Sequence, residues 1–242
     1  MNAVTWFGHS SVVVEIDNVR LAADPVLGRR VAHLTRENPV PRSALGQIDS
    51  VLVSHVHLDH LDTTSLRQFD RTLPVVVPLH AGAILRRRGF CRVLEVEPGE
   101  TVVVRDVRVD VTRAEHGTVR RYVRATSSAV GFVIRGSNDV YFAGDTDLFD
   151  EMRDLRPLDV ALLPIAGWGT RLPPGHLDAV RAAEALTLLE PRYAVPIHWG
   201  TYAPPFGARP ADDPAEAFRA AAAELAPAVR VVTLREGESL SL

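Results

Sequence analysis

The sequence predicts an α/β domain in which two mixed β-sheets pack against each other with helices outside. Strand-rich stretches and βα units alternate twice along the chain, so two pseudo-equivalent halves are expected. No short repeat and no break in composition marks a linker, so residues 1–242 are expected to form a single domain. With 46% hydrophobic and 24% charged residues, the chain has the means to bury a large core.

The elements follow in order. Val4–Phe7, Ser11–Ile16 and Val19–Ala23 read as an antiparallel meander that turns at Asp17-Asn18 and stops at Asp24-Pro25, where proline removes a ladder donor. Val26–Gln47, rich in Pro, Gly and Arg, shows no periodicity and reads as a long functional loop. Ile48–Ser54 is a buried strand. A helix capped by Asp62 then runs through Leu66 and Phe69. Strand Val75–Pro78, helix Ala81–Arg88 stopped by Gly89, and strand Arg92–Val96 complete the first βα series. Four strands follow, Thr101–Arg105, Val107–Ala114, Ala129–Arg135 and Val140–Gly144. Then come helix Leu148–Leu155, strand Val160–Ile165, helix Leu177–Glu190 and strand Tyr193–His198. Helix Ala215–Leu225 has Asp213 as its cap and Pro214 at its first position, and strand Val229–Leu234 closes the chain.

Composition excludes several chemistries. There is no lysine, which removes Schiff-base catalysis. The single cysteine, Cys91, rules out an intramolecular disulfide and a Cys-rich zinc site, and reads as a small buried residue opening a strand. A net charge of −3 argues against a nucleic-acid partner, and Arg86-Arg87-Arg88 reads as a solvated face. The N-terminus lacks a signal pattern, and no stretch approaches the ~18 apolar residues that span a bilayer. A cytoplasmic protein without membrane insertion is expected.

The chemistry concentrates in Ser54-His55-Val56-His57-Leu58-Asp59-His60, where four candidate ligands lie within six residues. Alternation at a strand end would point His55 and His57 the same way, and a turn would return Asp59 and His60 towards them. Imidazole and carboxylate donors suit borderline divalent ions. Three further strand ends offer His116, Asp145 and His198, each followed by Gly or a turn residue. Alone, each would read as an ordinary hydrogen-bonded residue. Together they give five histidines and two aspartates, enough for two metals.

HxHxDH, a single His, Gly-Asp-Thr and a final His resemble the metallo-β-lactamase fold superfamily across nearly the whole chain. Its branch containing N-acyl phosphatidylethanolamine-hydrolysing phospholipase D and L-ascorbate-6-phosphate lactonase is the most similar. The similarity lies in Trp6-Phe7-Gly8-His9-Ser10-Ser11, Asp24-Pro25, Tyr141–Thr146, Leu162–Ile165, His176-Leu177-Asp178 and Ile197–Thr201. The resemblance implies a four-layer αββα sandwich of two mixed sheets. It also implies that His55, His57 and His116 hold one ion, that Asp59, His60 and His198 hold a second, and that Asp145 bridges both. The ions, Zn²⁺ or alternatively Mn²⁺ or Fe²⁺, would activate a bridging hydroxide against a phosphodiester or a lactone or carboxyl ester. Asp59 would also orient that nucleophile.

Around these ligands, His176 is a candidate general acid or ligand support, with helix capping as the plainer role. His9 would line the pocket or support a ligand, and Asp24 would orient a ligand from behind. Arg121 reads as surface, with a substrate anion as its alternative partner. Trp168 and Trp199 would wall the pocket or pack in the core. The substrate is expected to be a small molecule, plausibly anionic, and homo-oligomerisation is left open. The competing readings on the same fold are a mononuclear-iron sulfur dioxygenase, a nuclease and a non-catalytic scaffold.

Overall fold

In the computed structural model the described residues are 2–40, 43, 45–117, 127–165, 172–203 and 213–242. Among the described residues, seventeen strands fall into two seven-stranded sheets and one three-stranded sheet. The first sheet runs β17 (Ser239–Ser241), β1 (Ala3–Trp6), β2 (Val12–Ile16), β3 (Val19–Ala23), β6 (Ser50–Leu52), β7 (Val75–Pro78), β8 (Val93–Val96). The second runs β16 (Arg230–Val231), β14 (Tyr193–Ile197), β13 (Val160–Pro164), β12 (Val140–Phe142), β11 (Val130–Arg135), β10 (Val107–Arg113), β9 (Thr101–Val104). Each sheet is antiparallel on one side and parallel on the other, changing over at β3 and at β12. The same change of pattern occurs in both sheets.

Period-two alternation decides which residues meet. Val12, Val14 and Ile16 of β2 and Phe132 and Ile134 of β11 point between the sheets and form the central core. Val13 points out, into a cluster with Leu66 and Leu85 from α1 (Thr63–Leu66) and α2 (Gly82–Arg86). Val133 and Tyr141 point out on the other side, under α3 (Ala179–Leu189) and α4 (Pro214–Leu225). The layers are therefore α, β, β, α, as the sequence predicted.

Two caps, Asp62 and Asp213, were legible, the cap of α3 was not, and the lengths were less so. Asp62 accepts from Thr64 N and Ser65 N, Asp178 from Arg181 N, and Asp213 from Ala215 N. The helix after Asp62 is one turn long, and the expected helix Leu148–Leu155 is instead a 3₁₀ helix over Asp150–Leu155. Two expectations are overturned. Val26–Gln47 is not wholly irregular, because β4 (Arg30–Val31) and β5 (Leu34–Arg36) pair there, and β5 pairs β15 (Tyr202–Ala203). Cys91 is exposed and precedes its strand, with its thiol donating to Arg71 O at 3.2 Å. The last strand was missed altogether: β17 lies beyond Val229–Leu234 and pairs with β1. No helix among the described residues is long and apolar enough to cross a membrane.

Candidate metal centre

The site forms where the C-terminal ends of parallel strands and neighbouring turns converge. β6 ends at Leu52, so His55–His60 is a turn and not a strand end, with Leu61 N donating to His57 O at 2.8 Å. The expected alternation therefore does not operate. The turn nevertheless brings His55 Nε2 and His57 Nδ1 to 3.0 Å, and His116 Nε2, following β10, lies 3.1 Å from the same His57 nitrogen. Asp145 follows β12 and His198 follows β14.

Asp145 stands between two groups. Its Oδ2 lies 3.2 Å from His60 Nε2, 3.8 Å from His55 Nε2 and 3.4 Å from His176 Nε2. Its Oδ1 lies 3.3 Å from His198 Nε2. Asp59 Oδ2 lies 3.7 Å from His60 Nε2, 3.6 Å from His198 Nε2 and 3.1 Å from His9 Nε2. All seven sequence-predicted ligands, with His176 beside them, thus share one site. The clusters able to hold an ion include His55, His57 and His116, and a second of His9, Asp59, His60 and His198. His9 is the member that the ligand pattern did not supply.

Hydrogen bonds behind the ligands decide which nitrogen faces inward. Asp24, fully buried, accepts from Ser54 N at 2.7 Å, from Ser54 Oγ at 2.5 Å and from His60 Nδ1 at 2.7 Å. A carboxylate only accepts, so Ser54 Oγ spends its one proton on Asp24 and must itself accept from His55 Nδ1, 2.9 Å away. His116 Nδ1 donates to the Gly175 carbonyl at 2.8 Å. In all three histidines Nδ1 is held as the donor and Nε2 is turned into the site, the arrangement typical of metal-ligating imidazoles. Around His57 Nδ1, two unprotonated nitrogens then contend for a single proton. Ligands of one tetrahedral ion with bonds of ~2.1 Å lie ~3.4 Å apart, close to these spacings. His60 Nε2 and Asp145 Oδ1 are buried without a well-formed hydrogen bond among the described residues, which a cation would resolve. The residues present fit divalent ions.

Titration follows from the same surroundings. Burial holds His9 and His116 down to about 4, and holds His55 well below and His57 below the usual imidazole range. These rings are neutral at pH 7, as ligands must be. Burial also opposes charge on Asp59 and Asp145, but the surrounding histidines outweigh it and hold both carboxyls well below their usual range. At His60 burial is outweighed by Asp145, Asp59 and Asp24, and its pKa is raised well above 6.5. Since Asp24 keeps the Nδ1 proton, an ion bound at His60 would have to displace the one on Nε2.

The remaining sequence expectations divide. Asp24 sits behind His60 and Ser54, as an orienting residue would. His176 Nδ1 lies 3.0 Å from Pro173 O, so the ring is not the helix cap; Asp178 is. Trp199 stacks on Trp6 at 5.7 Å and belongs to the packing. Arg121 and Trp168 lie outside the described residues.

Residues 20–199 match the family described as the Beta-lactamase superfamily domain. An uncharacterized protein of Mycobacterium tuberculosis is 34% identical over 240 residues, taking in 91% of this chain and 64% of that protein, so the match spans under two-thirds of that relative. The UPF0173 metal-dependent hydrolase of Methanopyrus kandleri is 34% identical over 246 residues, covering 98% of each chain. Among solved structures, a metallo hydrolase from the archaeon Ignicoccus hospitalis is 28% identical with a TM-score of 0.76, covering 99% of this chain and 97% of that one.

Proposed function

Because the chain belongs to the Beta-lactamase superfamily domain family, and within it to the UPF0173 metal-dependent hydrolases, we propose that it is a two-metal hydrolase cleaving an ester-type bond of a small molecule. His55, His57 and His116 are assigned to one ion, Asp59, His60 and His198 to the other, and Asp145 to both. The observation that carries this reading is the set of backing hydrogen bonds from Asp24, Ser54 and Gly175. They commit His55, His60 and His116 to presenting Nε2 before any ion arrives.

Bound there, two divalent ions would supply an activated water at neutral pH and polarise the scissile carbonyl or phosphoryl oxygen. The chain's own residues do the rest. Asp145 spans the two ligand groups with its two oxygens and fixes their separation. Asp59 orients the attacking water. His176, 16% exposed and 3.4 Å from Asp145 Oδ2, has a raised pKa because hydrogen bonding and charge from Asp145 overcome burial. It can therefore carry a proton to the leaving oxygen.

The bond is assigned as a phosphodiester or a lactone or carboxyl ester, from the likeness of Trp6–Ser11, Tyr141–Thr146 and Ile197–Thr201 to the phospholipase D and ascorbate-phosphate lactonase branch. Zinc is the expected ion, with manganese or iron admitted by the same donors. The test is metal analysis of the purified protein, followed by a screen of phosphodiesters against lactones. About two equivalents of divalent metal and ester hydrolysis are expected, abolished in folded Asp59→Ala and His57→Ala. Hydrolysis that survives chelation and both substitutions, or a single redox-active iron, would refute the proposal.

A further inference from the structure

We infer that His9 is a positioning residue for Asp59: its Nε2–H holds the Asp59 carboxylate in the orientation that serves the second ion. The inference rests on the two-ion reading above.

His9 lies in the tight turn between β1 and β2, and Gly8 before it has no room for a Cβ, which would sit 2.4 Å from Glu236 Oε1 and 2.8 Å from Thr201 Oγ1. His9 itself has φ +51, in the left-handed region where a side chain is strained. The backbone is nevertheless fixed from three directions. His9 N donates to Thr201 Oγ1 at 2.6 Å. His9 O accepts from Trp6 Nε1 at 2.8 Å and from His198 N at 2.9 Å. His198 is also left-handed, at φ +63. Two strained histidines from opposite sheets are thus tied to each other, and their rings pack with centroids 3.9 Å apart. Strain kept at such a position needs surroundings that over-determine it, and these hydrogen bonds and ring contacts supply them.

The buried ring delivers its Nε2 to Asp59 Oδ2 at 3.1 Å. A carboxylate is an acceptor, so the proton lies on His9 Nε2, which makes this nitrogen a donor and not a ligand. The rest of the site is built alike. His60 is backed by Asp24, His55 by Ser54 and His116 by the Gly175 carbonyl. Asp59 follows Leu58, which is 46% exposed, and His9 is its corresponding support. Partners of this kind typically set metal affinity by ~10–100-fold.

The experiment compares His9→Gln, whose amide can still donate to Asp59, with His9→Phe, which keeps the ring and loses the donor. Zinc binding is followed by competition with a chromophoric chelator, and folding by circular dichroism. His9→Phe should hold one zinc equivalent normally and the other, now its weaker one, 10–100-fold more loosely, with His9→Gln restoring most of the loss. Unchanged affinity in folded His9→Phe would overturn the inference. Equal loss of the weaker ion in both variants would also overturn it, because His9 would then be a ligand. A readout independent of mutation is long-range ¹⁵N–¹H NMR of the zinc-loaded wild type, where His9 Nε2 should be the protonated nitrogen. An unprotonated, metal-shifted Nε2 contradicts the inference directly. Failure of the underlying reading looks different: wild type would take up fewer than two equivalents, or Asp59→Ala would leave the weaker one untouched.

Discussion

Replacing Asp24 by Asn should weaken both ions at once, although Asp24 ligates neither. The buried carboxylate accepts three hydrogen bonds, at 2.7, 2.5 and 2.7 Å. An amide can accept at only one of its two atoms. With its oxygen kept on Ser54 N, its NH₂ faces Ser54 Oγ and His60 Nδ1. Ser54 must then turn its proton onto His55 Nδ1, and His60 must give up its Nδ1 proton and keep the one on Nε2. Both rings would present N–H, not a lone pair, to the site, one ring in each ligand group. Removing such backing typically costs 10–100-fold in affinity, about 1.4–2.7 kcal/mol per ion. Turning charge-assisted into neutral hydrogen bonds costs the metal-free protein about 1 kcal/mol for each bond retained, partly offset by no longer burying a charge. The assay is chelator competition for both equivalents, with melting of the metal-free protein beside it. Ser54→Ala is the internal control and should weaken only the ion that His55 serves. A folded Asp24→Asn protein holding both ions with wild-type affinity would refute the polarity argument, and so would loss of one ion alone.

Other outcomes follow from the same geometry. His176→Ala should keep both metal equivalents while kcat on an ester falls ~10²–10⁴-fold, the range of a lost general acid; lost metal would make it a ligand instead. The metal-free protein should lose stability as pH falls from 6.5 towards about 4. In that window the unfolded chain protonates histidines that burial keeps neutral at positions 9 and 116. His60 acts oppositely, but its contribution is complete below 6.5, so it leaves this slope alone; a flat melting profile under chelation would contradict the account. Gly144→Ala should lower the melting temperature by a few °C and loosen zinc, because Gly144 has φ +63 and a Cβ there would lie 2.6 Å from Ser54 Cβ. An unchanged melt would show that Ser54 has room to give.

Much of the layered fold was legible because burial writes itself as a period. Val12, Val13 and Val14 alternate between the central core and the outer cluster, and the two sheets each repeat that logic. What escaped were elements whose stability is tertiary. β4, β5 and β15 are two or three residues each: β4 and β5 make a tight local hairpin, and β15 joins it across more than 160 positions of sequence. β17 reads locally as a polar tail, Ser-Leu-Ser, and becomes a strand because β1 offers an open edge. Cys91 was misplaced because its apolar followers begin a strand that starts two residues later.

The site was legible in a different way. Residue types and spacings named seven candidate ligands, and the turn after β6 gathers His55, His57, Asp59 and His60 even though the strand geometry invoked for them is absent. The pattern could not reveal direction, since which nitrogen of a histidine faces inward depends on partners far along the chain. His60 is oriented from 36 positions away, His116 from 59, and Asp59 from 50. Those partners are one aspartate, one backbone carbonyl and one strained histidine, and they share no motif. Their common property is physical: each leaves its ligand a single way to present its lone pair. Ligand identity therefore sets which ions fit, while the backing residues set how tightly they are held. A relative that keeps HxHxDH but lacks Asp24 or His9 should, on this argument, bind the same metals more weakly.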